Sequence, residues 1–210
     1  MSHKDAPPEP TSIPHPCQEC RSDRLLNRRT LLKSVLGTGV GLHLLQRAAQ
    51  AADDPKKMRP QVGDLLVFSV GDRQGQVISP QDIPTGGPPV IAYAMEPSTK
   101  TVRDGSRLNR ILLAHLAVAD FTETTRPATA DGIVGYSAIC THTGCDVVGW
   151  KSETKELLCP CHTSAFDAKD RARVVGGPAP RALPLLPLRL ADGQLTVAGP
   201  FSGRVGADQK

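Results

Sequence analysis

Apolar residues along this chain fall in short runs closed by Gly, Pro or polar clusters, the pattern of β-strands joined by turns. Such runs occupy Asp64–Val70, Val90–Ala94 and Ile111–Phe121. Further short strands are predicted at Val134–Ile139, Val147–Trp150, Glu156–Cys159, Leu186–Leu190 and Gln194–Val197. Asp192-Gly193 is a two-residue hairpin signal before the last of these, because both residue types tolerate the positive φ of a tight turn. The polar stretch from Pro97 to Arg110 is predicted as loop, and no internal repeat is visible. Nearer the N-terminus, Ser34 to Gln46 is weakly apolar but spans only 13 residues. A membrane-crossing helix needs roughly 20.

Composition sharpens this to a mainly β protein. A chain of 210 residues with 39% hydrophobic and 22% charged residues is ordinary for one or two globular domains. Aromatic residues are only 3%, so the core must rest on Val, Leu, Ile and Ala, while 19 Gly and 19 Pro favour turns over a helical bundle. Collagen, coiled coil and a polytopic membrane protein are excluded. The net charge of +4 is too weak for a dedicated nucleic-acid binder.

Part of that charge belongs to a leader. Asn27-Arg28-Arg29-Thr30-Leu31-Leu32-Lys33 resembles a bacterial twin-arginine export signal, and the weakly apolar stretch and the small-x-small Ala49-Gln50-Ala51 follow in order. Residues 1–51 are therefore expected to be a leader, either cleaved or kept as a membrane anchor; His43 and Arg47 argue against the anchor. Export implies an oxidising periplasm where disulfides persist. It also suggests a cofactor inserted before export. Cys17 and Cys20 form a CxxC ahead of the signal and are read as incidental.

The chemistry concentrates in two groups, Cys140-Thr-His142-Thr-Gly-Cys145 and Cys159-Pro-Cys161-His162-Thr-Ser164-Ala-Phe166. Spacings of C-x-H and C-x-x-H can bring four ligands to one metal site. Cys145 and Cys161, one in each group, are left free to pair, and closing a loop of about 15 residues is worth roughly 3 kcal/mol in the chain-entropy model.

C-T-H-x-G-C followed by C-P-C-H-x-S resembles the signature of Rieske iron–sulfur proteins. The resemblance is specific over 134–199 and vague over 58–130. It implies an antiparallel β domain over 58–200, with a base and a small cluster-binding part over about 134–182. It implies a [2Fe–2S] cluster with Cys140 and Cys159 as thiolate ligands and His142 and His162 as imidazole ligands. Cys145 and Cys161 match the family's disulfide. Ser164 matches a serine that donates to a bridging sulfide, and Gly177-Pro178-Ala179-Pro180 is similar to the family's proline loop. Replacing thiolate by neutral imidazole removes negative charge from one iron, so such centres span about −150 to +300 mV. Phe166 stands where many members carry Tyr, and the missing phenol is expected to lower the potential. Thr143 replaces a common Leu, and Thr163 a common Gly.

A zinc site could use the same two Cys and two His, but leaves Cys145, Cys161 and Ser164 unexplained. An oxygenase subunit would need further iron ligands, and no His follows His162. His115 is read as a packed or partner-facing histidine, Trp150 as packing in the hairpin between the two groups, and Asp167 as capping a turn. The expected role is single-electron transfer in a larger oxidoreductase, with no catalytic site of its own. Its partner would be cytochrome b or c of a quinol-oxidising bc-type complex, or a molybdopterin subunit as in arsenite oxidase.

Overall fold

The computed structural model describes residues 54–208. The expected export leader, with Arg28, Arg29, Cys17 and Cys20, lies outside the described residues. The strands are β1 (Leu65–Phe68), β2 (Val90–Glu96), β3 (Thr101–Val102), β4 (Ile111–His115), β5 (Ile133–Ser137), β6 (Gly149–Lys151), β7 (Glu156–Cys159), β8 (Ser164–Asp167), β9 (Arg173–Gly176), β10 (Leu185–Leu186), β11 (Leu188–Ala191) and β12 (Gln194–Val197). All pairings between them are antiparallel. Among the described residues helix is confined to single 3-10 turns, and none is long and apolar enough to cross a membrane.

Eight strands form one sheet in the order β10-β5-β4-β2-β1-β12-β11, with β3 paired to β2. The two ends of this path, β10 and β11, have only Pro187 between them in the chain, so the sheet must curl into a barrel-like wall. A Cβ on Gly135 of β5 would accordingly lie 3.3 Å from Leu188 of β11. The other four strands form a small meander, β6-β7-β8-β9.

Side-chain alternation sorts the core into two layers. Ile111, Leu113 and Ile133 join Leu66, Ala92 and Leu195 inside the large sheet. Their neighbours Leu112, Ala114, Val134 and Tyr136 point the opposite way, onto Leu157 and Phe166 of the small sheet. β4 and β5 are thus buried on both faces, which is why their sequences are continuous apolar runs rather than alternating ones. Tyr136 stitches the layers together, its hydroxyl donating to the Ala168 carbonyl at 2.9 Å. Burial raises the Tyr136 pKa strongly, so it stays a neutral donor. Between the start of β1 and the end of β3, Arg103 donates to both oxygens of Asp64, at 2.6 and 3.0 Å, with both side chains almost fully buried.

Some expected boundaries move. The run Ile111–Phe121 is a strand only to His115, after which Val118–Asp120 forms a 3-10 turn. The stretch Pro97–Arg110 is not all loop: it contains β3 and the 3-10 turn Arg107–Asn109. The run Leu186–Leu190 is interrupted at Pro187, which has no N–H for a ladder. The strands β8 and β9 carried too little apolar signal to be predicted. Trp150 lies in β6, half-buried against the inter-sheet core, with its indole N–H donating to Gly86 at 3.4 Å.

Candidate metal centre

Two loops meet at one end of the small sheet. The first runs from Cys140 to Cys145 and is closed by its own backbone: Cys140 N–H donates to Cys145 O at 2.8 Å, and Gly144 N–H to Cys140 O at 3.1 Å. Gly144 supplies the φ of +80° that this turn requires. The second loop joins β7 to β8, with Cys159 and Ser164 paired across its mouth. Thr163 closes it at φ +57°, a left-handed conformation that is unusual for a β-branched residue.

The six predicted residues come together. Cys145 and Cys161 form a disulfide that ties the two loops, with the Cys159 sulfur within 4.8 Å of both of theirs. That trio is not itself a ligand set, because two of its members are consumed by the S–S bond. Cys140 and Cys159 are free thiols, buried at 0% and 2% exposure. His142 and His162 pack edge to face with ring centroids 4.6 Å apart; His142 is half-buried and His162 exposed. Two thiols therefore form a dry floor and two imidazoles a surface rim.

The polar bookkeeping marks this spot as made for a bound group. Buried polar atoms normally find partners. Among the described residues, three buried side-chain atoms have none, and two of them, His142 Nδ1 and Ser164 Oγ, belong to these loops. Burial, then the neighbouring Cys159, pushes the Cys140 thiol up. Without a cation the proton stays on sulfur, and a metal would displace it. The donor set of two thiols and two imidazoles, with two orphaned atoms beside it, fits an iron–sulfur group.

Surrounding backbone holds the loops in place. Gly177 has φ +77°, and a Cβ there would lie 2.5 Å from Ser164 Cα, so the proline loop can approach β8 only with glycine at this position. Pro178 is exposed, while Ala179 tucks into the core. Thr141 Oγ1 donates to Arg181 O at 2.6 Å, anchoring the first cluster loop to the chain beyond the proline loop. Phe166 is fully buried in β8 and brings no polar atom. Asp167 accepts from Lys169 N–H at 3.1 Å and so does steady a turn. His115 lies apart, its Nδ1 3.0 Å from Ile83 O and 3.2 Å from Thr85 Oγ1.

Sequence reasoning missed Asp146. It directly follows the disulfide cysteine, bridges to Ile139 in the backbone, and forms ion pairs with Arg107 at 2.9 Å and with Arg110. Nothing in the spacing could reveal this, because its partners lie more than thirty residues away.

A small antiparallel β module presenting two Cys–His loops tied by a disulfide has the donor set of a metal-binding protein. Residues 98–187 match the family model of the Rieske [2Fe-2S] domain. The cytochrome bc1 complex Rieske iron-sulfur subunit of Streptomyces lividans is 49% identical over 77 residues, 36% of this chain and 45% of that one. A putative respiratory nitrate reductase subunit Rieske of Haloferax mediterranei is 49% identical over 76 residues, 36% of this chain and 34% of its own. Among solved structures, the soluble domain of the Rieske protein II (soxF) from Sulfolobus acidocaldarius is 22% identical, covering 46% of this chain and 66% of that one, with a TM-score of 0.35. The match spans less than half the length of either curated relative. Residues 98–187 thus carry the Rieske domain, whose family binds a [2Fe–2S] cluster.

Proposed function

We propose that this chain is an exported electron-transfer subunit of a larger oxidoreductase, in which Cys140 and Cys159 hold one iron and His142 and His162 the other. The observation that carries the assignment is the pair of unpartnered buried atoms, His142 Nδ1 and Ser164 Oγ, beside two buried free thiols. When bound, the cluster supplies a carrier for one electron at a potential above that of all-thiolate ferredoxins. The protein's part is to shape its surroundings. The buried thiols keep water from one side, and Ser164 offers a hydroxyl proton to sulfur. The disulfide fixes the two loops against each other. His162, exposed at the rim, leaves a ring nitrogen open to a partner.

The relatives named as bc1 subunits and as a nitrate reductase subunit both support a complex with partner subunits as the setting. The bc-type partner, with quinol as donor, is favoured by the disulfide and the Gly177-Pro178 loop. Phe166 and Thr143 favour a molybdopterin partner of the arsenite-oxidase kind. A periplasmic location rests on the Arg28-Arg29 leader; if that leader is retained, it would anchor the chain.

Metal analysis with an EPR-monitored redox titration of the purified protein tests the reading. Two irons per chain and a Rieske-type signal in the reduced state are expected. An EPR-silent protein holding zinc and no iron would replace it by a structural zinc module. Phe166→Tyr should raise the midpoint, and an unchanged midpoint would remove the sequence argument for a low-potential centre.

A further inference from the structure

Three adjoining cavities of about 270, 220 and 300 Å³ surround the C-terminal segment of the described chain. All three share Arg204, and two share Arg59. Arg59, Arg107, Arg171, Arg181 and Arg204 line them, and neither a lysine nor a carboxylate does. The third cavity reaches Gly144, next to the disulfide cysteine of the first cluster loop.

These charges are poorly compensated. Among the described residues, Arg59 and Arg171 form no ion pair. Arg59, on the surface, donates to the Leu108 carbonyl at 2.7 Å, and partial desolvation holds its guanidinium somewhat below the ordinary value with no acid beside it. Arg107 reaches Asp146 through a guanidinium arm that is more than half exposed, and Arg181 and Arg204 share one largely exposed carboxylate, Asp208, so these pairs neutralise little. The concentration is also lopsided. Residues 54–208 hold 17 basic and 16 acidic side chains, so without these five arginines the remainder is acidic.

We propose that this trough docks an acidic protein surface, the carboxylate-bearing face of the redox partner, beside the first cluster loop. The redox part rests on the function proposed above; the anion-recognising trough does not. Arginine rather than lysine at every basic position suits carboxylate, whose two oxygens match the guanidinium fork. The concave shape suits protruding Asp and Glu side chains better than a flat bilayer. The chain's own leader is a poor occupant, since residues 1–53 carry seven basic and five acidic side chains and would be repelled. Complementary charge of this kind chiefly speeds and orients encounter.

The test uses the iron-loaded full chain with a labelled decaglutamate peptide at low salt, followed by fluorescence anisotropy. Arg107→Glu with Arg204→Glu, both on exposed side chains, should weaken binding about tenfold or more, as should added salt. Lys100→Glu, on the β2–β3 turn, is the control and should change nothing. Iron content and circular dichroism of each variant show that the fold and centre persist. Equal binding by the double variant, or no peptide binding by the parent chain, overturns the proposal. So does arginine-dependent sedimentation with phosphatidylglycerol vesicles in place of peptide binding. Iron loss from the parent chain would sink the electron-transfer reading while leaving the peptide result to judge the trough.

Discussion

The large and small sheets solve the same problem, burying apolar surface, by different means. The large sheet curls round and fills its own interior with Leu, Ile, Val and Ala. It ties the start of β1 to the end of β3 with the buried Arg103–Asp64 pair. The small sheet has four short strands and one buried face, so it borrows a core from the outer side of β4 and β5. A disulfide, Tyr136 and the proposed cluster supply what its area cannot. Sites that need two loops fixed to within a fraction of an ångström are thus carried by cross-links on the less self-sufficient layer. The self-sufficient layer is the platform.

Breaking the platform has the largest expected effect on stability. Asp64→Asn leaves the Arg103 guanidinium buried without its counter-charge, which costs about 3–5 kcal/mol. Denaturant unfolding should show that loss. Hydrogen exchange should place it first in β1 and β2, with β7 and β8 following only through global unfolding. Removing the cross-link is the converse test. Cys145→Ala with Cys161→Ala opens a loop whose ends are 16 residues apart and should cost about 3 kcal/mol, with β6–β9 losing protection while β1, β2 and β12 keep theirs. If both variants relax both sheets equally, the molecule is one cooperative unit and the contrast fails.

The sequence made the site more legible than the fold. Cys140, His142, Cys159 and His162 lie in two tight groups, and pattern alone brought them together because the chemistry is local to each loop. Strands buried on one or both faces, such as β5, β7 and β12, also announced themselves through apolar runs. β8 and β9 did not, because Ser164, Asp167 and Arg173 dilute them and their pairing, not their composition, makes them strands. Asp146 with Arg107 and Arg110, Asp64 with Arg103, and the arginine trough are contacts between distant segments, which no local pattern encodes.

A smaller effect concerns the cluster loop itself. Thr163 at φ +57° carries a left-handed backbone that costs an ordinary L-residue about 1–2 kcal/mol. Glycine there would relieve the strain, give back about 0.4–1 kcal/mol through a freer unfolded chain, and lose the hydroxyl contact to His162 O. Thr163→Gly should therefore stabilise the small sheet by about 0.5 kcal/mol. A fall in the thermal midpoint would mean that the threonine hydroxyl, not the backbone, governs this turn.

The smallest effect belongs to the platform and is read through pH. Hydrogen bonds from the Thr99 and Ser98 side chains, then from their backbone N–H groups, hold the exposed Glu96 carboxyl down from 4.5 to about 2. A carboxyl depressed on folding contributes stability that is complete above its unfolded value and is lost as pH falls through the folded one. The contribution of Glu96 should therefore fade between about pH 4.5 and pH 2. Solvent screening at this surface turn keeps it small. Glu96→Gln retains an oxygen acceptor but cannot titrate, so its unfolding midpoint should decline less steeply than the parent's across that window. The difference should appear in β2 and β3 and be absent from β7 and β8. An identical pH slope in the two proteins would mean that the β2–β3 turn is already loose in the folded state, making the platform's edge, like the small sheet, dependent on restraints from elsewhere.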